Sequence, residues 1–120
     1  MSRTVMIVDD SLYMRKSLRG ILVEKRYIVA AEAASGIEAM KNLHSHHPDI
    51  ILLDIVLPDS NGLSLLEWIT KTRPNSKVVV CSSIGQPSVI QKALGLGAKA
   101  FIRKPFTPEM VSEALESLED

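Results

Sequence analysis

The chain has 120 residues, of which 46% are hydrophobic and 23% are charged, and its 14 basic side chains balance 14 acidic ones. A chain of this length accommodates one domain with one core, and this composition excludes a disordered protein. The zero net charge argues against nucleic acid or an anionic membrane as the binding partner, because both attract clustered positive charge.

The first half of the chain alternates predicted strands and helices. Residues 5–8 form an apolar run rich in valine and isoleucine, which predicts a strand buried on both faces of a parallel sheet. Apolar side chains spaced by three and four residues then predict an amphipathic helix over residues 11–25, and a second strand follows over about residues 28–33. A Ser-x-x-Glu capping box that begins at Ser35 predicts a second helix, which runs to about Ser45.

The second half continues this alternation. Its apolar runs predict strands over residues 50–53, 78–81 and 100–103. Helical spacing predicts helices over residues 63–72 and 87–94, and Thr107 ahead of Pro108 predicts the start of a last helix. The inner face of that last helix is predicted to consist of Met110, Val111, Ala114, Leu115 and Leu118.

Five repeats of a strand followed by a helix predict the α/β class. We expect a single doubly wound, five-stranded parallel sheet that is covered by helices on both sides and joined by right-handed crossovers. No linker or internal repeat interrupts the pattern, so residues 1–120 are expected to form one domain.

Polar residues follow four of the predicted strands. Asp9 and Asp10 follow the first strand, Asp54 follows the third, Ser82 follows the fourth, and Lys104 follows the fifth. Parallel strands place their carboxyl ends along one edge of the sheet, where open α/β sheets bind their ligands. The sequence therefore predicts that three acids, a hydroxyl and an ammonium share one site.

The chemistry of such a site follows from its charges. Carboxylates brought close together need a compensating cation, and oxygen ligands alone favour Mg²⁺, with Mn²⁺ as the alternative ion. Because Mg²⁺ takes only one or two protein carboxylates, one acid remains to act as a nucleophile toward a phosphoryl group. The hydroxyl of Ser82 and the ammonium of Lys104 would then interact with the oxygens of that group.

Several segments of the chain identify a family. They are Val8-Asp9-Asp10-Ser11, Leu53-Asp54-Ile55-Val56-Leu57-Pro58, Asn61-Gly62, Ser82-Ser83, Gly97-Ala98-Lys99 and Lys104-Pro105-Phe106. In these segments the chain resembles the receiver domain of two-component response regulators, over about residues 3–118. The segments around Ser82 and Lys104 are most similar to stand-alone receivers of the chemotaxis type. The resemblance implies a flavodoxin-like (βα)5 fold with strand order 2-1-3-4-5.

The resemblance also implies roles at the phosphorylation site. It makes Asp54 the phosphoacceptor and a metal ligand. It makes Asp10 a direct ligand of Mg²⁺, Asp9 a ligand through water, and the carbonyl of Val56 a further ligand.

The resemblance further implies the parts of a conformational switch. Ser82 would be the switch hydroxyl, Phe101 the switch aromatic residue, and Lys104 the ammonium that precedes a cis proline. Many relatives carry threonine where this chain has Ser82, and serine lacks the methyl group that restricts the threonine rotamer. Val56 and Ile84 occupy two variable positions beside the site, where relatives often carry polar residues.

We therefore expect a phosphorylation-activated signalling protein, with weak self-phosphorylation and autodephosphorylation, rather than an enzyme. A sensor histidine kinase would donate the phosphoryl group, and a downstream protein would bind the face of the fourth helix, fifth strand and fifth helix, in chemotaxis, motility or another pathway. We expect a monomer that contacts neither nucleic acid nor membrane. Without a secretory leader or an apolar stretch near the roughly 20 residues of a membrane span, the protein is expected to be cytoplasmic.

Two alternatives remain open. One is a Mg²⁺-dependent phosphohydrolase with Asp54 as nucleophile, which is disfavoured because Val56 is apolar where such an enzyme needs an acid. The other is the receiver portion of a longer DNA-binding regulator, although the end of the chain directly after the last helix favours a free-standing module. We interpret the histidines near Pro48 as a solvated helix end rather than a metal site, and Cys81 as a core residue.

Overall fold

Strands and helices alternate through residues 3–118, which are the residues that the computed structural model describes. The elements are β1 (Thr4–Val8), α1 (Leu12–Glu24), β2 (Ile28–Ala33), α2 (Gly36–Ser45), β3 (Ile50–Leu53), α3 (Gly62–Thr72), β4 (Lys77–Ser82), α4 (Pro87–Gly95), β5 (Ala100–Arg103) and α5 (Pro108–Glu116). Each predicted strand and helix is present in this order. Within the described range, none of the helices is both long enough and apolar enough to cross a membrane.

The five strands of the described residues form one parallel sheet in the order β2-β1-β3-β4-β5. This order confirms the predicted α/β class, the doubly wound sheet and the flavodoxin-like arrangement. Every residue of β3 is buried, as expected for a central strand with helices on both sides. The strand order therefore places the carboxyl ends of β1 and β3 side by side.

The core is divided between the two faces of the sheet, because successive side chains of a strand point to opposite faces. On one face, Met6 and Val8 of β1 belong to a cluster with buried residues of α2, α3 and α4. On the other face, Val5 and Ile7 belong to a cluster with buried residues of α1 and α5. We call these the α2–α4 cluster and the α1–α5 cluster.

Side-chain caps begin most of the helices. Ser35 caps α2 as predicted, since its Oγ accepts a hydrogen bond from the amide of Glu38 at 3.1 Å. The carboxylate of Glu38, however, accepts from the amide of Ala34 at 2.9 Å, one residue earlier than a regular capping box requires. Thr107 caps α5 through the amide of Met110, and Pro108 is its first residue, as predicted.

One predicted core residue of α5 is exposed. Val111, Leu115 and Leu118 are buried, but the side chain of Met110 is 38% exposed. The buried residues are spaced by four and three positions and form one stripe, whereas Met110 precedes Val111 by about 100° around the helix. Met110 therefore lies at the margin of the buried face, and its assignment to the inner face was wrong.

Cys81 is buried in the α1–α5 cluster, which confirms its prediction as a core residue. Burial raises the pKa of its thiol to about 12, so the thiol stays protonated and unreactive at neutral pH.

At the end of α2, His44 and His47 are exposed, and Nδ1 of His46 lies 3.1 Å from the carbonyl oxygen of Asn42.

Candidate functional site

The carboxyl ends of β1 and β3 bring two acids together. Val8 is paired with Leu53, so the residues that follow them, Asp9 and Asp54, leave the sheet next to each other. The amide of Asp54 donates to the carbonyl of Val8 at 2.9 Å, and the amide of Asp9 donates to the carbonyl of Ala33 at 3.0 Å. The hydrogen bonds of the sheet therefore continue through both acids, and they fix the positions of the two Cα atoms from which the carboxylates extend.

Three carboxylates converge at this edge. Asp9, Asp10 and Asp54 each offer one oxygen, and these oxygens lie within 4.8 Å of one another. Asp9 is 2% exposed and Asp54 is 6% exposed, whereas the side chain of Asp10 is open to solvent. Mutual repulsion of these charges is strong where water is largely excluded, so the arrangement favours a cation.

Lys104 supplies one positive charge from the end of β5. Its Nζ donates to Oδ2 of Asp9 at 2.6 Å and to Oδ2 of Asp54 at 2.9 Å. The peptide bond to Pro105 is cis, as the resemblance implied. Burial lowers the pKa of Lys104, but the hydrogen bonds to Asp9 and Asp54 outweigh burial and leave it raised overall. The ammonium is therefore charged at neutral pH.

The second carboxylate oxygen of Asp9 and that of Asp54 each accept a hydrogen bond from the backbone. Oδ1 of Asp9 accepts from the amide of Ser11 at 2.9 Å, and Oδ1 of Asp54 accepts from the amide of Val56 at 2.8 Å. In both acids one oxygen thus binds a local turn while the other faces Lys104. The side chains are oriented before any ligand is bound.

The predicted switch residues lie beside this cluster. Ser82 is fully buried at the end of β4, where its Oγ accepts a hydrogen bond from the amide of Ile84 at 3.3 Å. Phe101 is half-buried on β5 and packs against the α2–α4 cluster. The structure therefore brings Ser82 to the same sheet edge as the acids, and places Phe101 two residues back along the strand that leads to Arg103.

Two apolar side chains lie on the loops beside the site. Val56 is 46% exposed on the loop after β3, and Ile84 is 37% exposed on the loop after β4. The loop after β3 is closed by an antiparallel bridge between Val56 and Asn61. A Cβ atom at Gly62 would lie 1.9 Å from the carbonyl oxygen of Ile55, so this closed loop requires glycine there.

Sequence reasoning missed the contacts of two residues near the site. Arg15 of α1 donates to the carbonyl of Asp9 at 2.7 Å and lies 3.3 Å from a carboxylate oxygen of Glu32 on β2. Asp59, on the loop after β3, accepts hydrogen bonds from two amides at the start of α2. The helical spacing of α1 and the turn-forming residues around Asp59 were visible in the sequence, but no sequence pattern identifies the backbone groups that these two side chains contact.

The donor set of the cluster fits Mg²⁺. All of its side-chain ligand atoms are carboxylate oxygens, which are the ligands that a hard divalent cation prefers. Three carboxylates paired with one ammonium leave two negative charges, which a single divalent cation balances. The exposed side chain of Asp10 faces the solvent side, from which a hydrated ion would enter.

Comparison with known families agrees with this geometry. The family model of the response regulator receiver domain matches residues 5–116. The chain belongs to this family. It is a receiver domain of the CheY-like kind from two-component signalling, which confirms the resemblance that its motifs implied.

Relatives match the receiver along nearly its whole length. The chemotaxis protein CheY of Thermotoga maritima is 42% identical over 118 residues, which are 98% of this chain and 98% of that protein. The chemotaxis protein CheY of Bacillus subtilis is 36% identical over 115 residues, or 96% of each chain.

Solved structures share the fold of the receiver closely. A complex of CheX with CheY from Borrelia burgdorferi, which contains BeF₃ and Mg²⁺, matches with a TM-score of 0.93 at 32% identity. That match covers 97% of this chain and 88% of the other. A CheY-like receiver domain from Methanospirillum hungatei matches with a TM-score of 0.90 at 29% identity, over 98% of this chain and 94% of that one.

Proposed function

We propose that this receiver accepts a phosphoryl group on Asp54 from a sensor histidine kinase and passes the signal on through a changed surface. The observation that carries the proposal is the arrangement at the sheet edge. Lys104 lies 2.6 Å from Asp9 and 2.9 Å from Asp54, and Asp10 offers a third carboxylate within 4.8 Å. The proximity of these side chains supports Asp54 as the proposed nucleophile, the acids as the proposed cation ligands and Lys104 as the fixed positive charge.

Phosphoryl transfer needs positioning more than covalent assistance. Oδ of Asp54 forms a bond to phosphorus while the bond between phosphorus and the kinase histidine breaks, and the bonding electron pair stays on that nitrogen. Lys104 and the hydroxyl of Ser82 are the side chains of this chain that donate hydrogen bonds to the transferred oxygens. Because Asp54 is 6% exposed and held by the amide of Val56, its attacking oxygen is oriented before the donor arrives.

Mg²⁺ is the proposed cofactor, and Mn²⁺ is the alternative ion. Asp10 and Asp54 would bind it directly, Asp9 would bind through water, and the carbonyl of Val56 would complete the protein ligands. When bound, the ion neutralises charge on the transferring oxygens. The all-oxygen donor set supports this assignment, as does the presence of Mg²⁺ in the Borrelia burgdorferi complex of a relative.

The proposed output surface is the face of α4, β5 and α5, to which a downstream protein would bind. Ser82 and Lys104 would engage the new phosphoryl charge, and the half-buried ring of Phe101 would carry the change along β5. The names of the CheY relatives favour chemotaxis or motility as the pathway. We further propose that the receiver acts in the cytoplasm as a monomer, without contacting nucleic acid or membrane.

The enzyme alternative finds no support at the site. A phosphohydrolase would need an acid at position 56 to protonate a leaving group, and Val56 places an apolar side chain there. We therefore propose a phosphoacceptor with weak self-phosphorylation and autodephosphorylation rather than an enzyme acting on other substrates.

The test is phosphorylation by a small acyl phosphate in the presence of Mg²⁺, followed by the mass of the intact protein. The parent should gain one phosphoryl group, and Asp54→Asn should gain none, because an amide is not a nucleophile for this transfer. Asp49→Asn is the matched control, since Asp49 lies at the opposite end of the sheet on the loop before β3, and it should be phosphorylated like the parent. An adduct formed by Asp54→Asn at the yield of the parent would refute the assignment.

A further inference from the structure

We propose that Asp59 is a positioning residue, whose carboxylate binds the loop of residues 54–61 to the start of α2 and thereby holds the carbonyl of Val56 in place. The proposal rests on the proposed function, because Val56 matters only if it helps to bind the metal. Asp59 itself touches neither the acids nor Lys104 in the hydrogen bonds of the described residues. It acts through the backbone of the loop.

Two hydrogen bonds connect the loop to the helix. Oδ1 of Asp59 accepts from the amide of Gly36 at 2.9 Å, and Oδ2 accepts from the amide of Ile37 at 3.0 Å. These amides are the first two of α2, which have no acceptor within the helix. Each carboxylate oxygen thus satisfies one of them, and the charge lies at the positive end of the helix dipole.

The protonation state of Asp59 agrees with this contact. The hydrogen bond from Gly36, followed by that from Ile37, holds the pKa of Asp59 below its usual value, against a smaller opposing effect of burial. The carboxylate is therefore ionised throughout the neutral range. Its hydrogen bonds weaken only in acid, as the pH falls through the lowered pKa.

Close packing makes the contact specific to these residues. A Cβ atom at Gly36 would lie 2.1 Å from Oγ and 2.7 Å from Cβ of Ser60, so the loop lies directly against the helix backbone. Ser60 also donates from its hydroxyl to Oδ1 of Asp59 at 3.1 Å. Glycine at position 36 is therefore needed for the loop to approach α2.

The loop transmits this attachment to Val56. Its ends are fixed by the bridge between Val56 and Asn61, and its tip is fixed by Asp59 on α2. The amide of Val56 in turn donates to Oδ1 of Asp54 at 2.8 Å. Release of the tip would allow the two peptide units that flank Val56 to rotate, so the carbonyl of Val56 and the hydrogen bond from its amide to Asp54 would both lose their orientation.

A purely structural role makes a different prediction. If Asp59 only capped α2, its removal would lower stability without changing the affinity of the folded protein for Mg²⁺. Asp49 provides the matched control, because its Oδ2 also accepts from a backbone amide, that of Thr4 at 2.8 Å, at the opposite edge of the sheet. Asp49→Ala removes the same charge and the same kind of hydrogen bond far from the site.

The experiment is calorimetric titration of metal-free protein with MgCl₂, together with amide hydrogen exchange in the absence of metal. Asp59→Ala should raise the Kd for Mg²⁺ roughly tenfold, since residues that orient metal ligands have effects of this order. It should also speed exchange at the amides of Gly36, Ile37 and Val56. Asp49→Ala should change neither the Kd nor the exchange at Val56.

Two further variants sharpen the result. Asp59→Asn keeps one oxygen acceptor and should give a Kd between those of the parent and Asp59→Ala. Gly36→Ala leaves the carboxylate intact but forces Ser60 away, so it should weaken Mg²⁺ binding in the same direction. An unchanged Kd and unchanged exchange at Val56 in Asp59→Ala would overturn the proposal, as would an equal loss of affinity in Asp49→Ala.

The proposed function is tested separately by the parent and by Asp10→Ala in the same titration. A parent that binds no Mg²⁺, or an Asp10→Ala variant that binds like the parent, contradicts the metal site itself. Binding by the parent that is lost in Asp10→Ala and unchanged in Asp59→Ala contradicts only the role of Asp59.

Discussion

The two edges of the sheet use charged residues in different ways. At the amino edge, Asp49 accepts from the amide of Thr4 at 2.8 Å, and Lys77 donates to the carbonyl of Leu118 at 2.6 Å. Each of these charges is paired with a backbone group. At the carboxyl edge, by contrast, Asp9 and Asp54 share the ammonium of Lys104.

We infer from this difference that charged residues at the amino edge serve mainly stability, whereas those at the carboxyl edge serve mainly function. Charges at the amino edge satisfy the ends of strands and helices, so their removal exposes unpaired backbone groups and destabilises the fold. Charges at the carboxyl edge repel one another, and their value lies in what they bind. Lys104 offsets only one of the three negative charges of Asp9, Asp10 and Asp54, so part of their mutual repulsion remains and is relieved when a cation binds.

The largest expected effect comes from exchanging an acid at each edge for alanine. Asp10→Ala should lose both Mg²⁺ binding and phosphorylation, and its free energy of unfolding should not fall, because a repulsive charge is removed. Asp49→Ala should keep both activities but lose about 1 kcal/mol of stability with its hydrogen bond to Thr4. Calorimetry measures Mg²⁺ affinity, intact mass measures phosphorylation, and urea unfolding measures stability. Unchanged Mg²⁺ affinity in Asp10→Ala would contradict the proposed difference between the two edges of the sheet.

A smaller effect is expected on the lifetime of the phosphorylated state. Loss of the phosphoryl group needs a water in line with phosphorus, and Val56 and Ile84 offer no hydrogen bond to orient it. We expect Val56→Asn combined with Ile84→Glu to speed dephosphorylation about tenfold, which corresponds to roughly 1.4 kcal/mol of barrier. Decay is measured by intact mass over time. A double variant that decays no faster than the parent would exclude these side chains as the cause.

The smallest effect is expected from Lys104→Ala. The proposed nucleophile and metal ligands remain, so this variant should still be phosphorylated, but it loses the ammonium at the end of β5, the strand that carries Phe101. Amide exchange across Phe101 should therefore respond less to phosphorylation than in the parent, while Lys99→Ala, at the other end of β5, should respond like the parent. A full response in Lys104→Ala would remove Lys104 from the switch.

The pH dependence of the Lys104 contact has a definite sign. Because the pKa of Lys104 is raised above its ordinary value of 10.5, its stabilising contribution is fully present below that value. It is lost only as the pH rises through the raised pKa. The difference in stability between the parent and Lys104→Ala should thus stay constant through neutral pH.

Strand positions were predictable from runs that consist mainly of apolar residues. The predictions for Ile28–Ala33, Ile50–Leu53 and Ala100–Arg103 coincide with β2, β3 and β5. β1 also includes Thr4, and β4 is Lys77–Ser82 rather than residues 78–81. Backbone pairing extends a strand through polar residues, and an apolar pattern carries no information about that extension.

The clustering of the candidate site residues was predictable because these residues recur with the period of the fold. Asp9, Asp54 and Lys104 each follow a strand, and parallel pairing brings such positions together. The backbone contacts of Arg15 and Asp59, to a carbonyl and to two amides, were not predictable. Residue types reveal groups that act through side chains, whereas backbone contacts depend on the folded geometry.

Neighbouring residues of β5 belong to opposite sides of the core. Phe101 packs against the α2–α4 cluster, while Ile102 is buried in the α1–α5 cluster. A substitution that alters how the ring of Phe101 packs therefore leaves the layer beneath Ile102 intact. The proposed output surface of α4, β5 and α5 therefore spans both layers of the core, because α4 contributes to the α2–α4 cluster and α5 to the α1–α5 cluster.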